Sequence, residues 1–137
     1  MHINIRSSSR FDFEDIYDTY LVRYGVQCLD AVEEAIVEVS QEAVKKLRAE
    51  SAAQFGRGEY SQGWTRTVER GRLRRIAIVH GKKPTYALAH LLEHGHVSRN
   101  GTGRSYGNVK GRIHIEPVAE WAADEAIDRA IQKLEAI

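Results

Sequence analysis

One uninterrupted helical pattern, from about Asp12 to Ala53, constrains this chain more than any other feature. Val22, Val26, Leu29, Val32, Ile36, Ala43 and Leu47 fall in one stripe at helical spacing. Asp30, Glu34, Gln41, Lys45 and Arg48 occupy the opposite side. Ser9, three residues ahead of Asp12, fits a helix start. Asp12, Glu14 and Asp15 suit the positive end of a helix, and Lys45, Lys46 and Arg48 its negative end. About 40 residues rising about 1.5 Å each make about 60 Å of helix. A compact chain of 137 residues has a radius of gyration of only about 14 Å. A straight helix therefore protrudes. Either it breaks, with Gly25 the weakest point, or a neighbouring subunit covers the excess.

The length fits one domain over residues 1–137, and 42% hydrophobic content is that of a globular chain with a single core. No apolar run approaches the roughly 20 residues of a bilayer crossing. The first ten residues lack the apolar stretch of a secretory signal. Cys28 is the only cysteine, which excludes an internal disulfide and any Cys-based zinc cluster. Close to the apolar stripe, it reads as an inert buried thiol. The expectation is a soluble, cytoplasmic protein without a membrane partner. The net charge of +1 conceals segregation: residues 1–56 hold six basic and ten acidic side chains, residues 57–115 twelve and three, and residues 116–137 two and six. Such a division fits acidic helices facing a basic middle within one fold. It fits equally a partner surface, nucleic acid included.

The remaining elements follow from turn and strand signals. Residues 1–10 read as a flexible arm, with Ile3 and Ile5 alternating with polar neighbours in His2–Arg6. Gly56, Gly58 and Gly63 punctuate the stretch after the long helix. Trp64–Arg70 and Leu73–His80 predict an antiparallel hairpin turned at Gly71–Arg72. A short helix is expected over Thr85–Glu93, stopped by Gly95. Residues 95–112 read as a long, Gly-rich, basic loop, a length that usually signals function. Pro117 opens a last helix with Ala119, Ala123, Ile127, Ala130, Leu134 and Ile137 as its apolar stripe. Trp121 lies roughly opposite that stripe, covered by the 95–112 loop or presented to a partner. The fold class is α+β: long N-terminal and C-terminal helices packed on a small antiparallel sheet, with a short helix and the basic loop.

His90, Glu93, His94 and His96, with His114 further on, are the densest cluster of chemistry-bearing side chains. His90 and His94, four apart, share a helical face, as metal ligands do. No Glu follows His90 directly, however, so the HExxH order is absent. Helix capping by His94 and plain packing are the competing roles. No G-x-S-x-G elbow occurs, and Gly101, Gly103 and Gly107 match neither a P-loop nor a dinucleotide fingerprint. The basic middle, with Tyr60, Trp64, Tyr86 and Tyr106 available for stacking, leaves sequence-independent contact with nucleic acid open.

Five segments taken together carry a family resemblance: Lys45–Lys46–Leu47, Gly58–Glu59–Tyr60–Ser61–Gln62–Gly63–Trp64, His90–Leu91–Leu92–Glu93–His94–Gly95–His96, Asn100–Gly101 and Gly111–Arg112–Ile113–His114–Ile115–Glu116–Pro117. In this order they span nearly the whole chain, which resembles the tail-component family of HK97-type tailed phages. Two departures stand out. Ile113 stands where the family often has Pro, and Thr102–Lys110 lengthens the loop between the boxes. The resemblance implies no enzymatic activity and no cofactor. It implies a virion subunit of the neck, made in the host cytoplasm and built into a head–tail joining or tail-completion ring, a hexamer or dodecamer. Its implied partners are adjacent head-closure, stopper or portal-adaptor proteins, the tail terminator or tube, and genomic DNA sliding through the lumen. His90, Glu93, His94, His96, Arg112 and His114 then form a structural box at the loop base, with Glu93 bonded to Arg112 or to a His. Trp121, Tyr106 and Arg104 become candidates for subunit contacts. Arg72, Arg74, Arg75, Lys82 and Lys83 become candidates for the DNA channel or a partner. The competing function is a nucleic-acid-binding or metal-dependent nuclease-like protein using the basic middle and the His cluster.

Overall fold

The structure, a computed structural model, describes residues 17–99 and 105–137. The expected arm at 1–10, the helix start at Ser9 and Arg104 lie outside them. A π-helical turn, Tyr17–Val22, leads into helix α1, Arg23–Phe55. A short helix α2, Glu59–Gln62, precedes strands β1, Trp64–Arg70, and β2, Arg75–Gly81. Helix α3, Thr85–His94, runs into strands β3, Gly95–Arg99, and β4, Ser105–Lys110, and helix α4, Glu116–Glu135, closes the described chain. The architecture is α+β, with the long helix, the C-terminal helix and the small antiparallel sheet that the sequence predicts.

The long helix does not break at Gly25, which sits inside α1 with open space where a Cβ would be. Its 33 residues make about 50 Å of rod. One side receives β1 and β2, and another receives α4. Two neighbours on different sides shift the buried line away from the predicted stripe. Ala31, Ala35, Val39, Ala43, Leu47 and Ser51 are buried, four residues apart, whereas Leu29, Val32 and Ile36 are half-buried and Val22 and Val26 exposed. The core gathers Ala43, Val44 and Leu47 of α1 with Tyr60, Trp64 and Val118. Trp64 is pinned at both ends: its indole N–H donates to Ser51 Oγ at 2.9 Å, and its carbonyl accepts from Arg48 at 2.9 Å.

The predicted long loop at 95–112 is instead largely a second antiparallel hairpin. Gly95 pairs with Lys110, His96 with Val109 and Val97 with Asn108, with a bulge between Val97 and Arg99. Glycine makes this possible. Gly95 stands at φ +85°, where the chain swings from α3 straight into β3. A Cβ there would lie 2.5 Å from the Val109 carbonyl oxygen, and one on Gly111 2.5 Å from that of Glu93. Two bare backbones thus pass in contact at the foot of the hairpin.

Helix α4 departs from its predicted orientation. Val118 is buried and Trp121, Ala122, Glu125, Ala126, Arg129 and Lys133 are half-buried. Of the predicted apolar stripe, Ala130 and Leu134 are half-buried, whereas Ala119 and Ala123 are exposed, Ile127 is 60% exposed and Ile137 49%. The packed side brings Val118, Trp121 and Ala122 to the core and pairs charges with α1. Arg129 bonds Glu42 and its own helix's Glu125, each at 2.6 Å, and Lys133 bonds Glu34 at 3.1 Å and Glu38 at 3.2 Å. A line of glutamates on α1 thus faces two cations on α4. Trp121 lies on the packed side under the Lys46 ammonium, 4.4 Å from the ring centroid.

Candidate functional site

The structural box folds around Glu93. At the end of α3 its side chain is 5% exposed and turned inward to the start of α4. One carboxylate oxygen accepts the backbone N–H groups of His114, at 2.6 Å, and Ile115, at 3.0 Å. The other accepts from Ile115 at 3.2 Å and Glu116 at 2.9 Å. A helix N-terminus carries unpaired N–H groups and partial positive charge, and Glu93 supplies both an acceptor and a negative charge from another element. Burial pushes the Glu93 carboxyl up, but the three N–H donors and the neighbouring His114 outweigh it and hold the pKa below the ordinary value.

His114 is buried behind it, 1% exposed. Its Nδ1 lies 2.7 Å from the Arg112 carbonyl and 2.9 Å from Glu93 Oε1, both acceptors, so Nδ1 carries a proton. Its Nε2 meets the Tyr60 hydroxyl at 2.5 Å. In the neutral imidazole the tyrosine then donates and Nε2 accepts. Burial, and secondarily the Glu93 charge, push the Tyr60 hydroxyl up to about 12, so it stays protonated. Phe55 stands edge-on to both rings, with centroids 5.6 Å from Tyr60 and 4.9 Å from His114. The chain Tyr60–His114–Glu93 joins α2, the segment before α4 and the end of α3.

Thr85 locks the other end of α3. Its hydroxyl donates to the Tyr60 carbonyl at 2.8 Å. A Cβ on Gly63 would fall 1.9 Å from that hydroxyl oxygen, so only glycine fits there.

Of the six box residues, Glu93 and His114 meet as expected, through the His alternative. Arg112 does not reach Glu93. Its guanidinium donates to the Gln54 carbonyl at 2.7 Å and lies over the Phe55 ring at 5.8 Å, while its N–H bonds the Leu92 carbonyl at 2.8 Å. His90 and His94 are exposed, their ring centroids 4.9 Å apart. Glu93 does not join them, because its carboxylate is turned inward onto the N–H groups of His114, Ile115 and Glu116. His96 is half-buried, with Nδ1 buried and unpartnered. Among the described residues no group of three His, Cys, Asp or Glu side chains is placed to hold a metal ion. Cys28 is half-buried.

The five basic candidates do not form one surface. Arg72 and Arg74 are exposed at the tip of the first hairpin, and Lys82 and Lys83 at its other end. The length of β2 separates the pairs by about 20 Å. Arg75 is held by Glu33, at 3.3 Å, and by the Gly71 and Arg74 carbonyls. Arg70 shares Glu33. Trp121 is half-buried, with Lys46 of the same chain over its ring. Tyr106 falls in β4, and its side chain lies outside the described residues.

Sequence reasoning missed Tyr60 as the anchor of His114, although Tyr60 stands in the Gly58–Trp64 box. It also missed the outward face of α4. That face was readable from charges: Glu34, Glu38 and Glu42 recur every four residues, as do Glu125, Arg129 and Lys133. Among the described residues no helix is long and apolar enough to cross a membrane. No known family profile matches the chain, and neither characterised proteins nor solved structures give a significant match.

Proposed function

We propose that this chain is a structural, non-enzymatic subunit of a tailed-phage neck, one of a ring that joins the capsid connector to the tail around the DNA channel. The observation that carries this reading is the orientation of α4: Arg129 and Lys133 face α1, while Ala123, Ile127 and Ile131 face outward in one line. Soluble monomers leave few such stripes uncovered, and subunits of assemblies complete them with neighbours. Tyr20, Leu21, Val22, Tyr24 and Val26, exposed at the start of the long helix, add a second apolar surface of the same kind. The resemblance in the Gly58–Trp64, His90–His96 and Gly111–Pro117 boxes supports the phage assignment. In this structure those boxes close one knot, Tyr60–His114–Glu93, which fixes the base of the second hairpin to α4.

The test is imaging of negatively stained particles, made by cells carrying the gene with a C-terminal epitope tag and decorated with antibody. Label at the junction of capsid and tail is expected. Particles without label, together with soluble protein that binds metal or cleaves DNA, overturn the reading in favour of a nuclease-like protein.

A further inference from the structure

Two adjoining hollows run along the far half of α1. One is lined by Lys45, Arg48, Ala49, Ala52, Ala53 and Arg57, and the next by Val44, Thr65 and Arg66, with Lys45 and Arg48 shared. Together they form a groove with a floor of small apolar side chains and a rim of four cations. Arg48 is held in place by the Trp64 carbonyl. The outward side of α4 has the converse pattern. Ala123, Ile127 and Ile131 form an apolar ridge, and exposed Glu120, Asp124 and Asp128 run beside it. Both surfaces are straight and of matching length: about 18 Å of α1 from Gln41 to Ala53, and about 17 Å of α4 from Glu120 to Ile131.

We infer that the α4 ridge of one copy docks in the α1 groove of the next, with its acidic line against the basic rim. The contact rests on the ring reading only in requiring self-association. It is heterologous, since ridge and groove are different surfaces of the same chain, and repetition of one such contact generates a ring or a filament rather than a closed pair. A symmetric α4–α4 pair is disfavoured because it sets Glu120, Asp124 and Asp128 against themselves. Alanine at 49, 52 and 53 lets a second helix approach closely, and an apolar ridge fits such a floor, as in other helix-in-groove contacts. The acidic ends and basic middle of the sequence then match between copies as well as within one.

The experiment uses full-length protein carrying Cys28→Ala, in two preparations with single new cysteines, Ile127→Cys and Ala49→Cys, treated with a short bismaleimide. Covalent dimers are expected only when the preparations are mixed. Asp124→Lys with Asp128→Lys should weaken self-association about tenfold or more, and Lys45→Glu with Arg57→Glu in the partner copy should restore it. All four positions are exposed, and circular dichroism checks that the variants fold. Dimers from Ile127→Cys alone overturn the inference in favour of a symmetric contact. Self-association without mixed cross-links overturns the groove and leaves the ring reading standing. Duplex DNA that binds the wild-type groove and is lost with Lys45→Glu and Arg57→Glu, while self-association is unchanged, also overturns it. A chain monomeric at its highest attainable concentration overturns it too, with particle imaging still deciding the neck assignment.

Discussion

Glu93→Ala tests the knot that holds α4 to the rest of the fold. The substitution removes the acceptor for three backbone N–H groups, on His114, Ile115 and Glu116. A buried donor left unpaired costs about 1–3 kcal/mol. Only His114 is fully buried, while Ile115 is half-buried and Glu116 exposed, so water relieves the other two in part. The total comes to about 3–5 kcal/mol, the range for breaking a buried charged contact. For a chain of this size that lowers the melting temperature by about 10–20 °C. Glu93→Gln keeps one acceptor and turns an amide donor toward the N–H groups, and should cost about half as much. The pH dependence has a definite sign. The folded pKa of Glu93 lies below its unfolded value, so its contribution is complete above the ordinary value of 4.5 and is lost as pH falls through the folded pKa. The gap between wild type and Glu93→Gln should therefore be full at neutral pH and shrink in acid. Thermal melts followed by circular dichroism across that range measure both effects. A Glu93→Ala melting point within about 2 °C of wild type, or a gap independent of pH, refutes the reasoning.

Other substitutions probe separate parts of the account. Tyr60→Phe leaves the buried His114 Nε2 without its hydroxyl partner and should cost about 1–3 kcal/mol in urea unfolding. Gly95→Ala puts a Cβ 2.5 Å from the Val109 carbonyl at a φ of +85°, and should lower the urea midpoint by the equivalent of at least about 1–3 kcal/mol. Gly25→Ala, in exposed helix with open space around it, should gain about 0.5–1 kcal/mol in the same assay. Arg129→Ala removes the cation shared by Glu42 and Glu125, and its destabilisation should be larger in low salt than in high salt, measured by paired thermal melts.

The elements that depend on local pattern were legible in the sequence. The long helix, the hairpin beginning at Trp64 and the short helix from Thr85 follow from periodicity and turn chemistry, and the end of the first and the bounds of the other two fall close to those predicted. What the sequence hid depends on choices between elements. Apolar spacing alone gives α4 a core stripe through Ala123 and Ile127, yet the opposite side packs, with Val118, Trp121 and Ala122 at the core and Arg129 and Lys133 paired with the glutamates of α1. The same competition moves the buried line of α1 from Val32 and Ile36 to Ala35 and Val39. The stretch at 95–112 looked like loop because its glycines dominate the composition. Two of them, Gly95 and Gly111, instead permit the close backbone crossing on which the second hairpin stands. Within the box, Glu93 and His114 were recognisable as partners flanking one segment. Arg112 was not separable from them, because nothing local shows that its guanidinium reaches the end of α1.

We propose that this chain is completed by copies of itself in a virion ring. Quantitative mass spectrometry of purified particles from cells carrying the gene, with isotope-labelled peptides of this chain and of a major capsid protein as standards, tests it most directly. The account predicts a fixed number of copies per particle, of hexamer or dodecamer size. Absence from particles, or a copy number that varies between preparations and washes away with salt, contradicts it.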